Sequence, residues 1–175
     1  MLQNRAHASF ARTFAAALCA VALASGGASA QTQSWAGPHF FPQEAPDNAV
    51  AEVMQIVIAH ITDAHDANGN ALPPLSADEQ AAPLLDPALS KEVMDIAAAS
   101  GIGQVCALDW QNLNYLRLMA RERARGDRTP HQLAAIGLLH GLVQSEVAHD
   151  AGTCNDAFRQ AAQTFYAAKW GAEAH

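Results

Sequence analysis

Cys106 and Cys154 are two side chains of this sequence that could link distant helices covalently. Cys106 falls in the first turn of one predicted helix and Cys154 in the first turn of another, with a single antiparallel helix between them. Both are therefore expected at the same end of a bundle. In an exported protein such a pair oxidises, so we predict a disulfide that closes a loop of 48 residues and stabilises the fold by about 4 kcal/mol in the chain-entropy account.

A metal site is the competing interpretation of the same two cysteines. His149 and Asp150 end the intervening helix and are expected at the same end of the bundle. Two thiolates, an imidazole and a carboxylate would suit zinc. The close-spaced ligand pairs typical of zinc sites are absent from the sequence, and thiols in an oxidising compartment usually form disulfides. We therefore predict no metal and no cofactor.

His140 lies in the apolar stretch LLHGL, in the middle of a predicted helix. A buried imidazole needs a hydrogen-bond partner, so a core histidine is the favoured interpretation. The alternative is an axial ligand of a b-type haem, for which Met54, Met94 or Met119 could be the second ligand.

Motifs that indicate catalysis are missing from the sequence. It contains no H-E-x-x-H and no C-x-x-C-H element, which removes the motif-level argument for zincins and c-type haem. It also lacks G-x-S-x-G, and Ser145 beside Glu146 lies on a predicted helix rather than on a strand-to-helix turn. We predict no catalytic residue, and an enzymatic function is unsupported.

A polar and aromatic patch, DWQNLN at 109–114, adjoins Cys106. A tryptophan among exposed polar groups is a frequent anchor for binding, whereas the same tryptophan could instead complete the core beside the cysteine. Both interpretations stay open. The candidate binding residues are Asp109, Trp110, Gln111, Asn114, His140, His149 and Asp150.

Capping residues and helical periodicity define the elements that position these side chains. Asp47 or Asn48 can cap the start of a helix. Ser76 has the spacing of a capping box and is predicted to begin a short helix that Pro83 ends. Asp86-Pro87 and Thr129-Pro130 are N-cap and N1 pairs that begin two further helices. Thr153 is predicted to cap the last helix.

Glycines mark the predicted ends and contacts of the helices. Ser100-Gly101 is expected to end one helix, and the next is expected to begin near Val105. The helix that follows Pro130 is apolar almost all round and is expected at the centre of the bundle. Gly137 and Gly141, one turn apart on it, are predicted to admit a neighbouring backbone.

Arginines crowd the last turns of the helix that follows Cys106, at positions 117, 121, 123 and 125. Cations at a helix C-terminus interact favourably with the helix dipole, which explains them without a ligand. An anion-binding stripe is the alternative interpretation.

The first thirty residues have the layout of a secretory signal peptide. Arg5 and Arg12 precede an apolar run, and small residues end at Ala30. We expect cleavage after Ala30, an extended arm at 31–48, and one helical-bundle domain at 49–175. The net charge of the chain is −7, and removing the two arginines makes it −9, which argues against nucleic acid and anionic membranes as partners.

These features together predict an all-α protein: a small helical bundle of four long helices and a short one, with an extended N-terminal arm and one disulfide. The predicted location is the periplasm or the exterior of the cell, without membrane insertion. The predicted function is non-enzymatic binding of another periplasmic protein or a small ligand.

The order Cys, helix, turn, helix, Cys, helix over residues 105–170 resembles the layout of the HdeA-type acid-stress chaperones. The resemblance consists of cysteine placement, with no shared motif, and the N-terminal helices have no counterpart in those shorter proteins. It implies an acid-stress periplasmic chaperone as an alternative function, which the high carboxylate and histidine content also favours. A metal- or haem-binding bundle is the other alternative.

Overall fold

The computed structural model describes residues 47–66 and 68–171, and within these ranges the chain is mostly helical and has no strand. The all-α bundle is confirmed, although the described part holds six helices instead of the predicted five. They are α1 (Asp47–Ala59), α2 (Ala77–Ala81), α3 (Pro87–Val105), α4 (Leu116–Ala124), α5 (Pro130–Ala151) and α6 (Asp156–Trp170), with a 3-10 turn at Ile61–Asp63 and a π-helical segment at Gln111–Tyr115.

The predicted leader at 1–30 and most of the predicted arm at 31–48 lie outside the described residues. The end of that arm is different from the prediction, because Asp47 and Asn48 already belong to α1. Among the helices that the structure describes, none is both long and apolar enough to cross a membrane.

Three of the predicted helix starts, at Ser76, Asp86 and Thr129, are confirmed by their capping contacts. The carboxylate of Asp86 accepts a hydrogen bond from the Leu89 amide at 2.8 Å. Thr129 and Gln132 form a reciprocal capping box at the start of α5, as Ser76 and Glu79 do at the start of α2. These local sequence signals therefore fix where the helices begin.

The centre of the bundle is α3 together with α5, and α3 is the more buried of the two. It packs against α1, α5, α6 and the π-helical segment. Positions 97–101 of α3 are buried on all sides, and their side chains are small, so the neighbouring elements can approach closely. The helix after Pro130 therefore lies at the centre of the bundle as predicted, but it shares that position with α3.

The predicted end of a helix at Ser100-Gly101 is wrong, since α3 continues to Val105. Ala107 has the left-handed φ of 53° that ends it. The Leu108 amide bonds the Gly103 carbonyl at 2.8 Å and the Ala107 amide bonds the Gln104 carbonyl at 3.1 Å. This is a Schellman motif with alanine in the position where glycine is usual, so the sequence carries no glycine signal for it.

The glycines inside α3 serve close packing. A Cβ at Gly101 would lie 2.7 Å from the Gln144 carbonyl oxygen of α5, and one at Gly103 would lie 2.0 Å from the Tyr166 hydroxyl of α6. The prediction that a neighbouring backbone comes close at Gly137 and Gly141 is wrong: a Cβ at Gly137 would have only the Tyr115 hydroxyl near it, at 3.4 Å, and one at Gly141 would have no other part of the described chain within 4 Å.

The predicted disulfide between Cys106 and Cys154 is confirmed, with the two Cα atoms 4.8 Å apart. Its position in the elements differs from the prediction. Cys106 ends α3 instead of beginning the next helix, and Cys154 precedes α6, whose cap is Asn155 rather than Thr153. Arg159 of α6 donates a hydrogen bond to the Cys106 carbonyl at 2.9 Å, so this end of the bundle is held by both bonds.

Candidate functional site

A buried polar network lies where α3, α5 and the π-helical segment meet. The Ser100 hydroxyl is 3.0 Å from His140 Nε2, and the Asn114 side-chain amide donates to the same hydroxyl at 2.9 Å. Ser100 and Asn114 are 0% exposed and His140 is 2% exposed. These three polar side chains thus hydrogen-bond one another inside an apolar core, as buried polar groups require partners.

The π-helical segment places Asn114 in this network. A π turn contains an extra residue relative to an α-helix and often occurs at functional positions. Asn114 also donates to the Ile96 carbonyl at 2.7 Å and accepts a hydrogen bond from the Trp170 indole at 2.7 Å. One amide therefore joins α3, the π-helical segment and α6.

Aromatic rings enclose the imidazole of His140. The Tyr115 ring is tilted against it with centroids 4.6 Å apart, and the Trp110 ring is stacked at 6.1 Å. Burial lowers the pKa of His140 to about 4, because a charged imidazole would lose its hydration here. The histidine is therefore neutral at pH 7.

Ser100 and His140 have the spacing of a nucleophile and a base, but they cannot act as such in the folded protein. Ser100 lies in the middle of α3 and is fully buried, so a substrate has no path to its hydroxyl. The Nε2 atom, through which His140 could bind haem iron, already contacts that hydroxyl.

The candidate binding residues separate into a core group and a surface group. Asn114 and His140 are buried and Trp110 is half-buried, with its ring directed at the core. Asp109 is exposed and accepts hydrogen bonds from the side chain of Asn112 at 2.9 and 3.0 Å.

The other members of the surface group lie, like Asp109, at the end of the bundle that carries the disulfide. Gln111, His149 and Asp150 are exposed. The thiols of Cys106 and Cys154 are joined in the disulfide, so they are not available as the thiolates of a zinc site. Across the residues described, no group of three or more histidine, cysteine or acidic side chains is arranged to hold a metal ion.

Two further polar residues of interest were not identified from the sequence. Ser100 was interpreted only as part of a helix end, and its partner lies 40 residues away. Glu146 has one carboxylate oxygen that is buried without a hydrogen-bond partner among the described residues. Burial and the nearby Asp150 raise the pKa of Glu146, against a smaller opposite effect of His149.

The sequence contains a motif that could have drawn attention to Glu146. Glu146 and His149 have the Glu-x-x-His spacing of di-iron bundles, which use two such pairs and two further glutamates. The sequence contains one pair only, so it does not support a di-iron site.

An ion-pair network joins the C-terminal part of α4 to α3 and α6. Arg121 forms a two-pronged contact with Glu92 of α3 at 2.7 and 3.1 Å and a further bond to Glu122 at 2.8 Å. Lys169 of α6 also bonds Glu92, and Arg128 bonds the buried Glu122 at 2.9 Å. Ion pairs, in addition to the helix dipole, therefore account for much of the arginine-rich stretch.

The chain matches no protein-family model, and neither curated proteins nor solved structures show significant similarity to it.

Proposed function

We propose that this chain is an exported, non-enzymatic binding protein that acts in acid. Its binding surface is the apolar surface of α3 and α5, which the folded bundle covers at neutral pH and uncovers when acid weakens the core. The single observation that carries this proposal is the burial of His140 as a neutral imidazole between these two helices.

The neutral state of His140 makes the fold sensitive to acid. Its pKa is about 4 in the folded protein against 6.5 in the unfolded chain, so between these values the unfolded chain binds more protons. Stability therefore decreases as the pH falls through this range. The full difference corresponds to about 3 kcal/mol, a large share of the roughly 5 to 15 kcal/mol that stabilises an ordinary domain.

Carboxylates in ion pairs also lower the stability of the folded protein in acid, at a lower pH than His140 does. Burial raises the pKa of Glu92, but the hydrogen bonds from Arg121 and Lys169 outweigh it and the pKa is lowered overall. The stability that this ion pair contributes is lost as the pH falls through that lowered pKa. Glu146 has the opposite sign, because its raised pKa means that protonation relieves an unfavourable charge.

The disulfide favours reversible separation of the helices rather than complete unfolding of the chain. It keeps the end of α3 joined to the start of α6, so the chain remains cross-linked after the helices separate. Because α3 buries apolar residues on every side, its separation from α5 would expose a large surface for unfolded proteins.

The experiment follows apolar exposure and client binding together. Fluorescence of the dye bis-ANS is measured on the mature chain from pH 7 to pH 3, and light scattering of acid-denatured citrate synthase is measured with and without the chain. We expect dye fluorescence to rise below pH 5 and scattering to fall over the same range. Equal molar serum albumin is the control for non-specific protection.

Absence of dye binding down to pH 3 would contradict the proposal. So would dye binding that brings no protection of citrate synthase beyond that given by albumin.

A further inference from the structure

A groove between α4 and α6 is accessible in the folded protein and borders the buried network at Trp170. It has a volume of about 820 Å³ and is lined by Arg117, Ala120, Arg121, Ala168, Lys169 and Trp170. Enclosed ligand sites commonly occupy about 300 to 1,000 Å³; this groove has a similar volume but is open to solvent along its length. The two alanines, one on each helix, leave room between the longer side chains.

The charge of the groove is opposite to that of the chain. The chain carries a net charge of −7, whereas three of the six residues that line the groove are cationic. Glu92 partly neutralises Arg121 and Lys169, and Glu122 pairs with Arg121 as well. An ammonium group has three N–H donors, so Lys169 retains donors beyond its bond to Glu92.

The groove is also held in a defined shape. The Arg121 guanidinium lies 5.7 Å from the centroid of the Trp170 ring, a cation–π distance, and its nitrogen atoms bond Glu92 and Glu122. The Trp170 indole is fixed by its bond to Asn114. A binding surface whose side chains are already fixed loses less conformational entropy when a ligand binds.

We propose that this groove is a docking site for an acidic peptide segment of a partner protein. Carboxylates of the peptide would contact Arg117 and Lys169, and its aliphatic atoms would cover the alanines and the exposed part of the Trp170 ring. This site operates at neutral pH in the folded bundle, so it is independent of acid opening. A peptide suits an open groove that runs between two helices better than a compact dicarboxylate does.

The test measures fluorescence anisotropy of fluorescein-labelled hexaglutamate with the mature chain at pH 7. Arg117→Gln is compared with Arg123→Gln, which removes the same charge from an exposed position of the same helix that does not line the groove. We expect Arg117→Gln to weaken binding about fivefold, as for the loss of a contact of about 1 kcal/mol, and Arg123→Gln to leave it within about twofold. Binding should also weaken as ionic strength rises.

Three results would overturn the proposal. The wild-type chain could fail to bind hexaglutamate at low ionic strength. The two variants could weaken binding equally, which would mean that net charge alone attracts the peptide. Glutarate could displace the peptide at concentrations near that of the peptide itself, which would identify a small dicarboxylate as the ligand.

Discussion

At the scale of single residues, Asn114 is the side chain on which the buried network depends most. It donates to Ile96 and Ser100 and accepts from Trp170, and it is completely buried. A buried polar network is stable only when each member has its partners. The loss of this amide would therefore remove the partner of the Trp170 indole N–H on α6 and one of the two hydrogen bonds of the Ser100 hydroxyl on α3.

The variant Asn114→Ala should lower the free energy of unfolding by about 3 kcal/mol, because it combines a cavity with unsatisfied buried groups. Urea unfolding followed by circular dichroism measures the change. Asn112→Ala is the matched control, since Asn112 belongs to the same segment but is exposed and contacts only Asp109 among the bonds described. Its cost should stay below about 1 kcal/mol. Equal losses in the two variants would show that the network does not stabilise the core.

At the scale of helices, the packing of α3 depends on positions without side chains. Gly103 faces the hydroxyl of Tyr166, which itself donates to the Ala99 carbonyl at 3.0 Å. Tyr166 is buried, so it has little freedom to move away. Gly141 on α5 is exposed and has open space around it.

Alanine at these two glycines should therefore have opposite effects. Gly103→Ala should lower the unfolding free energy by about 2 kcal/mol or more, because the new methyl group overpacks the contact with α6. Gly141→Ala should raise it by about 1 kcal/mol, the usual gain when alanine replaces glycine inside a helix. Urea unfolding of the two variants measures both changes in free energy. A lower unfolding free energy in Gly141→Ala would contradict the open space around Gly141.

The parts of the fold that depend on neighbouring residues could be predicted from the sequence. The caps at Ser76, Asp86 and Thr129 need only three or four adjacent residues, and they were predicted correctly. The end of α3 could not be predicted, because it depends on a left-handed φ at Ala107, a conformation that glycine usually provides at the end of a helix. Glycines that admit another helix cannot be distinguished by sequence from glycines that end one.

The candidate site was predicted in part for the same physical reason. A histidine on an apolar helix face signals a buried polar group, so His140 could be singled out. Ser100 could not, because its role depends on contact with a helix 40 residues later in the sequence. Trp110 had two interpretations, and its stacking on His140 depends on the turn after α3.

At the scale of the whole molecule, the proposed response to acid adds contributions from separate regions. His140 acts between α3 and α5, and Glu92 acts where α3 meets α4 and α6. The His140 contribution develops at higher pH than the carboxylate contribution. The first loss of stability in mild acid is therefore expected to come from the histidine.

The most direct test of this account is the pH dependence of unfolding in His140→Gln. Glutamine can still hydrogen-bond the Ser100 hydroxyl, but it does not titrate, so a comparison with the wild type isolates the histidine from the carboxylates. The unfolding free energy of both proteins is measured in urea from pH 7 to pH 4. The wild type should lose about 3 kcal/mol more than the variant over this range; equal losses in the two proteins would contradict the account.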